Sequence, residues 1–206
     1  MAYMSYPEVP SRQRSEGLVK HGARALTAAF LIGSVTVVMW ALELFDVYAA
    51  GNRLDAYGIQ PHAVGDLPDI FTAPFMHGGV AHMAANTVPF VVLGFLAAAR
   101  GIWKFIGATL IITVVGGLGV WFTSSANTLG SSILIFGFFG YLVGRGVFER
   151  RLLDIAIAIA VVALYGTPML LGVLPSDPAI SWQGHLFGLI GGVLGAWFLR
   201  RDTARG

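Results

Sequence analysis

Five polar residues stand inside otherwise apolar stretches: His82 and Asn86, Ser131 and Ser132, and His185. A polar side chain in lipid is costly unless it finds a partner, so residues of this kind commonly mark a site. A Ser hydroxyl facing an imidazole is a possible nucleophile–base pair, because the ring can take the hydroxyl proton as oxygen attacks an electrophile. The plainer readings are equally physical. A lone Ser in a membrane helix is usually bonded to its own backbone. Asn86 could simply hold two helices together, and Pro89 could be a kink without chemistry.

These residues need helices to position them, and the composition says which kind. Of 206 residues 56% are hydrophobic and 12% charged, where a soluble domain carries about 25% charged. Mean hydropathy is +0.73. Together with 27 Gly and 14 Phe, this points to one all-α polytopic membrane domain. It excludes a disordered chain, a coiled coil and an ordinary soluble enzyme. With no Cys, disulfides, thiol catalysis and Cys-based zinc sites are excluded as well. A net charge of +2 is no signal for nucleic acid.

Uncharged stretches run over 25–42, 70–99, 105–144, 155–176 and 178–199. A helix needs about 20 residues to cross the hydrocarbon core, so the third stretch is two spans, divided at the polar run from Thr123 to Thr128. Six spans are predicted, near 25–47, 79–99, 103–122, 130–148, 152–174 and 181–199. Twelve of the 13 Lys and Arg fall in the termini and the even-numbered connections, leaving Arg53 alone on the other side. By the positive-inside rule both termini are cytoplasmic. Residues 1–24 are then a polar, mobile cytoplasmic segment with no removable signal peptide, 25–200 the membrane domain and 201–206 a cytoplasmic tail. The long external segment, roughly 48–78, is expected to have structure or function of its own.

At about 1.5 Å per residue, Ser132, His185 and Asn86 lie roughly 20 Å above Arg145, Arg200 and Arg100 on three different helices. One level therefore holds all three, roughly 10 Å below the external edge of a core about 30 Å thick. His82 lies one turn above Asn86. Ser132 shares a face with Phe136, Gly140 and Gly144. Gly184, Gly188 and Gly192 form a matching stripe beside His185. Small residues at this spacing let membrane helices approach closely. The coincidence of depth and facing seams favours a site, with Ser132 toward His185 and Ser131 turned about 100° away as a helix cap.

At these residues the chain resembles the rhomboid family of intramembrane serine proteases. The family's second-span motif is matched by His77, His82 and Asn86, its Gly-x-Ser motif by Gly130, Ser131 and Ser132, and its sixth-span motif by His185, Gly188 and Gly192. Ile133 stands where the family has Gly and Phe136 where it often has Tyr. Leu67, Pro68, Asp69 and Ile70 occupy the stretch where a Trp-Arg pair is often found.

The resemblance implies a six-transmembrane-helix bundle in the cell membrane, of a bacterial plasma-membrane kind. It implies cleavage of a peptide bond in or near the transmembrane helix of a membrane-protein substrate. His185 would take the Ser132 proton as a dyad, since no Asp or Glu lies at that depth. His82, Asn86 and the Ser132 N–H would bind the oxyanion, and His77 would sit at the site mouth, ordering the loop or retaining water. The connection 175–180 is a candidate lid. Partners are then substrate helices and the lipid bilayer, not nucleic acid, and no metal or cofactor is called for. An inactive rhomboid-like protein that binds transmembrane helices is the alternative. A transporter or channel is less favoured, because no charged relay crosses the lower half of the spans.

Overall fold

The computed structural model describes residues 11–177 and 180–201. The outermost expected segments, 1–10 and 202–206, lie outside the described residues, as do 178 and 179 of the candidate lid. Among the described residues six α-helices form: α1 Ser11–Phe45, α2 Val80–Ala99, α3 Ile102–Thr123, α4 Ser132–Glu149, α5 Leu152–Gly172 and α6 Trp182–Phe198. Five of them, α1 to α5, are long and apolar enough to cross a membrane, which makes this a multi-pass membrane protein. The helix α6 has 17 residues. Among the described residues there is no β-strand, only a bridge between Ile59 and Thr128.

The first helix departs from expectation at its start. It is helical from Ser11, not an irregular segment up to residue 24. The stretch 11–24 contains no Pro and is rich in Arg, Gln, Glu and Lys, which favour helix in water as well as in lipid. Further along, Ala28, Ile32, Met39 and Glu43 are buried. Their spacing makes one stripe, and that stripe packs on α2. Trp40 Nε1 donates to Thr87 Oγ1 across this pair at 3.1 Å.

At the centre is α4. From Ile133 to Gly146 all but two of its residues are buried, with α2, α3, α5 and α6 around it. Its closest neighbour is α6, and the reason is absent side chains. A Cβ on Gly188 would strike the Ile133 carbonyl, and one on Gly192 the Gly137 carbonyl. A Cβ on Gly140 would sit 2.5 Å from the Leu189 carbonyl oxygen, and one on Gly144 2.8 Å from Ala196 Cβ. Backbone lies directly on backbone. The expected glycine seam is present, with Gly137 as an added member.

At the arginine-rich end a buried ion network ties the helices together. Arg100 Nε and Nη2 donate to the two Asp154 carboxylate oxygens at 2.9 and 3.0 Å. Arg145 Nε reaches the same carboxylate at 3.1 Å, Arg145 also pairs with Glu149 at 3.3 Å, and Lys104 pairs with Glu149 at 3.2 Å. Asp154 sits in the first turn of α5, where the helix dipole adds to the attraction. Four helices are joined through two carboxylates.

The connection 46–79 has structure of its own, as three 3₁₀ turns after a π turn that ends α1. Asp46 Oδ1 accepts the Leu54 N–H at 2.9 Å. Ile59 and Thr128 exchange N–H···O bonds of 2.8 and 3.1 Å. Asn127 Nδ2 donates to the Asp55 carbonyl at 2.8 Å, and Trp121 Nε1 to the Ala63 carbonyl at 3.1 Å. Ile70 lies against Gly117 of α3, where a Cβ would be 2.6 Å away. The connection is thereby bonded to the segment that leads into α4.

The seam makes a sharp prediction. Gly192→Ala must push a Cβ into backbone that cannot rotate away, so it should cost about 3 kcal/mol, the upper end of overpacking penalties. Gly33→Ala on α1 meets nothing within 4 Å and should leave stability equal or up to about 1 kcal/mol higher. Denaturant unfolding in micelles reads both.

Candidate active site

Ser132 is the first residue of α4. The first N–H groups of a helix have no partner within it and carry the positive end of its dipole, so the Ser132 hydroxyl sits beside its own unpaired N–H. Its Oγ has no hydrogen-bond partner among the described residues, and it faces a cavity of about 860 Å³. His82, Asn86 and His185 line the same cavity. Four sequence candidates from three helices therefore meet at one space. Pro175 and Asp177 of the α5–α6 connection complete part of its wall.

The His185 ring is held on two sides. Its face stacks on Phe136 at 3.9 Å with 7° between planes. Its Nδ1 lies 2.8 Å from the Gly172 carbonyl oxygen. A carbonyl can only accept, so Nδ1 carries the proton and Nε2 of the neutral ring keeps its lone pair. No hydrogen bond joins Ser132 to His185 among the described residues.

Asn86 Nδ2 is buried without a partner. A buried donor of this kind costs about 1–3 kcal/mol, which a ligand oxygen would recover. The His82 ring lies over Gly130: a Cβ there would be 3.0 Å from His82 Nε2 and 3.6 Å from Asn86 Nδ2. Gly130 also has φ +121°, which side chains rarely adopt. Only glycine lets both donors close over the turn that starts α4.

Two expectations need correction. His77 is not at a mouth: it is 2% exposed and lies behind Ser131. The His77 Nε2 accepts the Ser131 backbone N–H at 3.2 Å and is 3.2 Å from Ser131 Oγ. Its Nδ1 makes no well-formed hydrogen bond, although the Phe75 backbone lies nearby. Ser131 occupies the cap position of α4, but its side chain makes no capping bond. The imidazole of His77 satisfies a different donor at the helix start, the Ser131 backbone N–H. His77 and His82 meet edge to face at 5.3 Å.

Ile133 does not crowd the cavity. It is 1% exposed, in a socket left open by two glycines. A Cβ on Gly116 of α3 would be 2.5 Å from Ile133 Cγ2, and one on Gly184 of α6 3.1 Å from its Cγ1. The room that the Ile133 side chain needs is left by these two glycines on α3 and α6.

Sequence reasoning does not single out Gly172 or the buried acids Glu43 and Asp46, and it marks Gly130 only as the first residue of the Gly-x-Ser motif. The signal for Gly172 is weak, since a glycine ending a helix is common. Glu43 and Asp46 are acids inside an apolar span, a signal that could have been used. They flank Asp55, whose carboxyl is pushed up by burial first and then by the Asp46 charge, while His82 pulls it down. Among the described residues no group of three His, Asp or Glu is placed to hold a metal ion.

The described residues thus form a helical membrane bundle in which Ser132, His185 and Asn86 line one cavity at the N-terminus of α4. The Rhomboid domain model matches residues 64–202, and the chain belongs to the rhomboid family. It is 37% identical over 185 residues to "Uncharacterized protein Rv1337" of Mycobacterium tuberculosis, covering 82% of this chain and 76% of that protein. "Uncharacterized protein Mb1372" of Mycobacterium bovis matches equally. "Uncharacterized protein ML1171" of Mycobacterium leprae is 34% identical over 208 residues, covering 96% of this chain and 82% of that protein.

Ile133→Gly should lose about 3 kcal/mol or more, from the vacated socket and from glycine in a helix, and should not gain activity. His77 gives a pH signature. Burial chiefly, then His82, holds its imidazole down to about 4 from an ordinary 6.5. Between these values the unfolded chain takes up a proton that the folded one refuses. Stability therefore falls as pH drops through that window and levels off below it. His77→Gln can still accept the Ser131 N–H, and should flatten melting temperature against pH between 6.5 and 4 relative to the parent.

Proposed function

We propose that this protein is an intramembrane serine endopeptidase that cleaves a peptide bond in or near the transmembrane segment of membrane-protein substrates. The observation that carries the reading is the shared cavity, in which an unbonded Ser132 hydroxyl, an unpartnered Asn86 donor and a His185 ring with its lone pair on Nε2 are assembled. His185 Nε2 takes the Ser132 proton while Oγ attacks the substrate carbonyl. The charge that develops on the carbonyl oxygen is met by Asn86 Nδ2, the His82 ring and the Ser132 N–H, all set before the reaction. The imidazolium then gives its proton to the leaving amine. Water enters by the same route in reverse roles to free the acyl group. His77 takes no part in proton transfer; it sets the start of α4 and with it the direction of the Ser132 N–H.

In this reading α6 is a sixth span, and both termini are cytoplasmic in a bacterial plasma membrane. The site then opens to the external side, where water can reach it. Twelve cationic residues against one support that orientation.

The test is cleavage of a reconstituted transmembrane reporter substrate. Ser132→Ala should abolish it. Ser131→Ala should keep it, because Ser131 Oγ points to His77. Asn86→Ala should lower turnover by about a hundredfold or more while the protein still folds, as for other oxyanion donors. Full activity in Ser132→Ala contradicts the proposal. A parent that binds the reporter helix without cutting it favours the inactive, helix-binding alternative.

A further inference from the structure

We infer that Gly172 is a positioning residue: its carbonyl, at the C-terminal end of α5, performs for His185 the orienting role that a carboxylate performs in a Ser-His-Asp triad. The inference rests on the protease reading and extends it to a helix that contributes no side chain to the chemistry.

The carbonyls of the last turn of a helix have no partner within the helix and carry the negative end of its dipole. Gly172 is the last residue of α5, and its carbonyl oxygen lies 2.8 Å from His185 Nδ1. The bond does two things that a triad carboxylate does. It fixes the tautomer, leaving Nε2 free to accept the Ser132 proton. It also sets a partial negative charge beside a ring that becomes positive when it takes that proton. Gly172 must be glycine for this contact. A Cβ there would be 2.5 Å from Phe136 Cζ and 3.2 Å from His185 Nδ1. Phe136 holds the opposite constraint by stacking on the ring face, so ring plane and ring tilt are both set.

The arrangement makes the base conditional on α5. That helix packs mainly on α4 and little on α6, with Leu164, Leu170 and Leu171 of its upper half exposed. Its firm anchor, Asp154, is at the other end. A shift of the Gly172 end away from α6 removes the Nδ1 partner and frees the ring to change tautomer.

The experiment is nitrogen-15 spectroscopy of histidine-labelled protein in micelles, with the His185 signals assigned by comparison with His185→Gln, alongside the rate of fluorophosphonate labelling. The parent should show His185 protonated at Nδ1 with slow exchange. Gly172→Ala should show a mixed tautomer and label about tenfold to thirtyfold more slowly, at a melting temperature that shows it folded. A parent with Nε2 protonated, or a folded Gly172→Ala that keeps both tautomer and labelling rate, overturns the inference. Where Gly172→Ala is unstable, the parent tautomer decides. A parent that labels with a mixed tautomer contradicts the role of Gly172 alone. A parent with the Nδ1–H tautomer that never labels contradicts the protease reading instead.

Discussion

The backbone contact between α4 and α6 is the constraint on which the rest depends. In lipid there is no hydrophobic force between helices, so they associate by close packing and by the few polar contacts available. Here Gly188 and Gly192 of α6 lie on the Ile133 and Gly137 carbonyls of α4, and Gly140 of α4 lies on the Leu189 carbonyl of α6. Ser132 stands at the start of one helix and His185 in the first turn of the other. Their separation is inherited from the seam. One added methyl group would part the helices, and a misplacement of about 1 Å in reacting groups can cost about a hundredfold in rate.

The two ends of the bundle are held by different forces. At the arginine-rich end Asp154 and Glu149 gather Arg100, Arg145 and Lys104. Buried ion pairs of this kind add little net stability against their desolvation, but a broken one is costly, so they hold helices in one register. At the opposite end the connection 46–79 is bonded to the strand-like bridge at Thr128 and to the turn at Gly130. His77 completes that turn by taking the Ser131 N–H. The Ser132 N–H is thus aimed by a residue that never faces the cavity.

Much of this was legible in the sequence, for identifiable reasons. Span positions follow from lengths of uncharged chain, and α2 through α6 fall within a few residues of expectation. The depth coincidence of Ser132, His185 and Asn86 works because a helix rises at a constant rate. What was hidden depends on pairing between distant segments. Nothing near Ile133 says that Gly116 and Gly184 provide its room. Nothing near His77 says that its ring accepts the Ser131 N–H at the start of α4. Arg145 reads as a topology charge, while its partner Asp154 lies on the next helix. The extension of α1 back to Ser11 was hidden differently: a membrane criterion ends a helix where the charges begin, and the backbone has no such limit.

The central claim is that Ser132 acts in a preassembled oxyanion site, and a structure of the protein after reaction with a fluorophosphonate tests it most directly. The account predicts phosphorus bonded to Ser132 Oγ, with the phosphoryl oxygen within hydrogen-bond distance of Asn86 Nδ2 and the Ser132 N–H. An adduct on another residue, or a phosphoryl oxygen turned away from Asn86 with its Nδ2 still unpartnered, would contradict it.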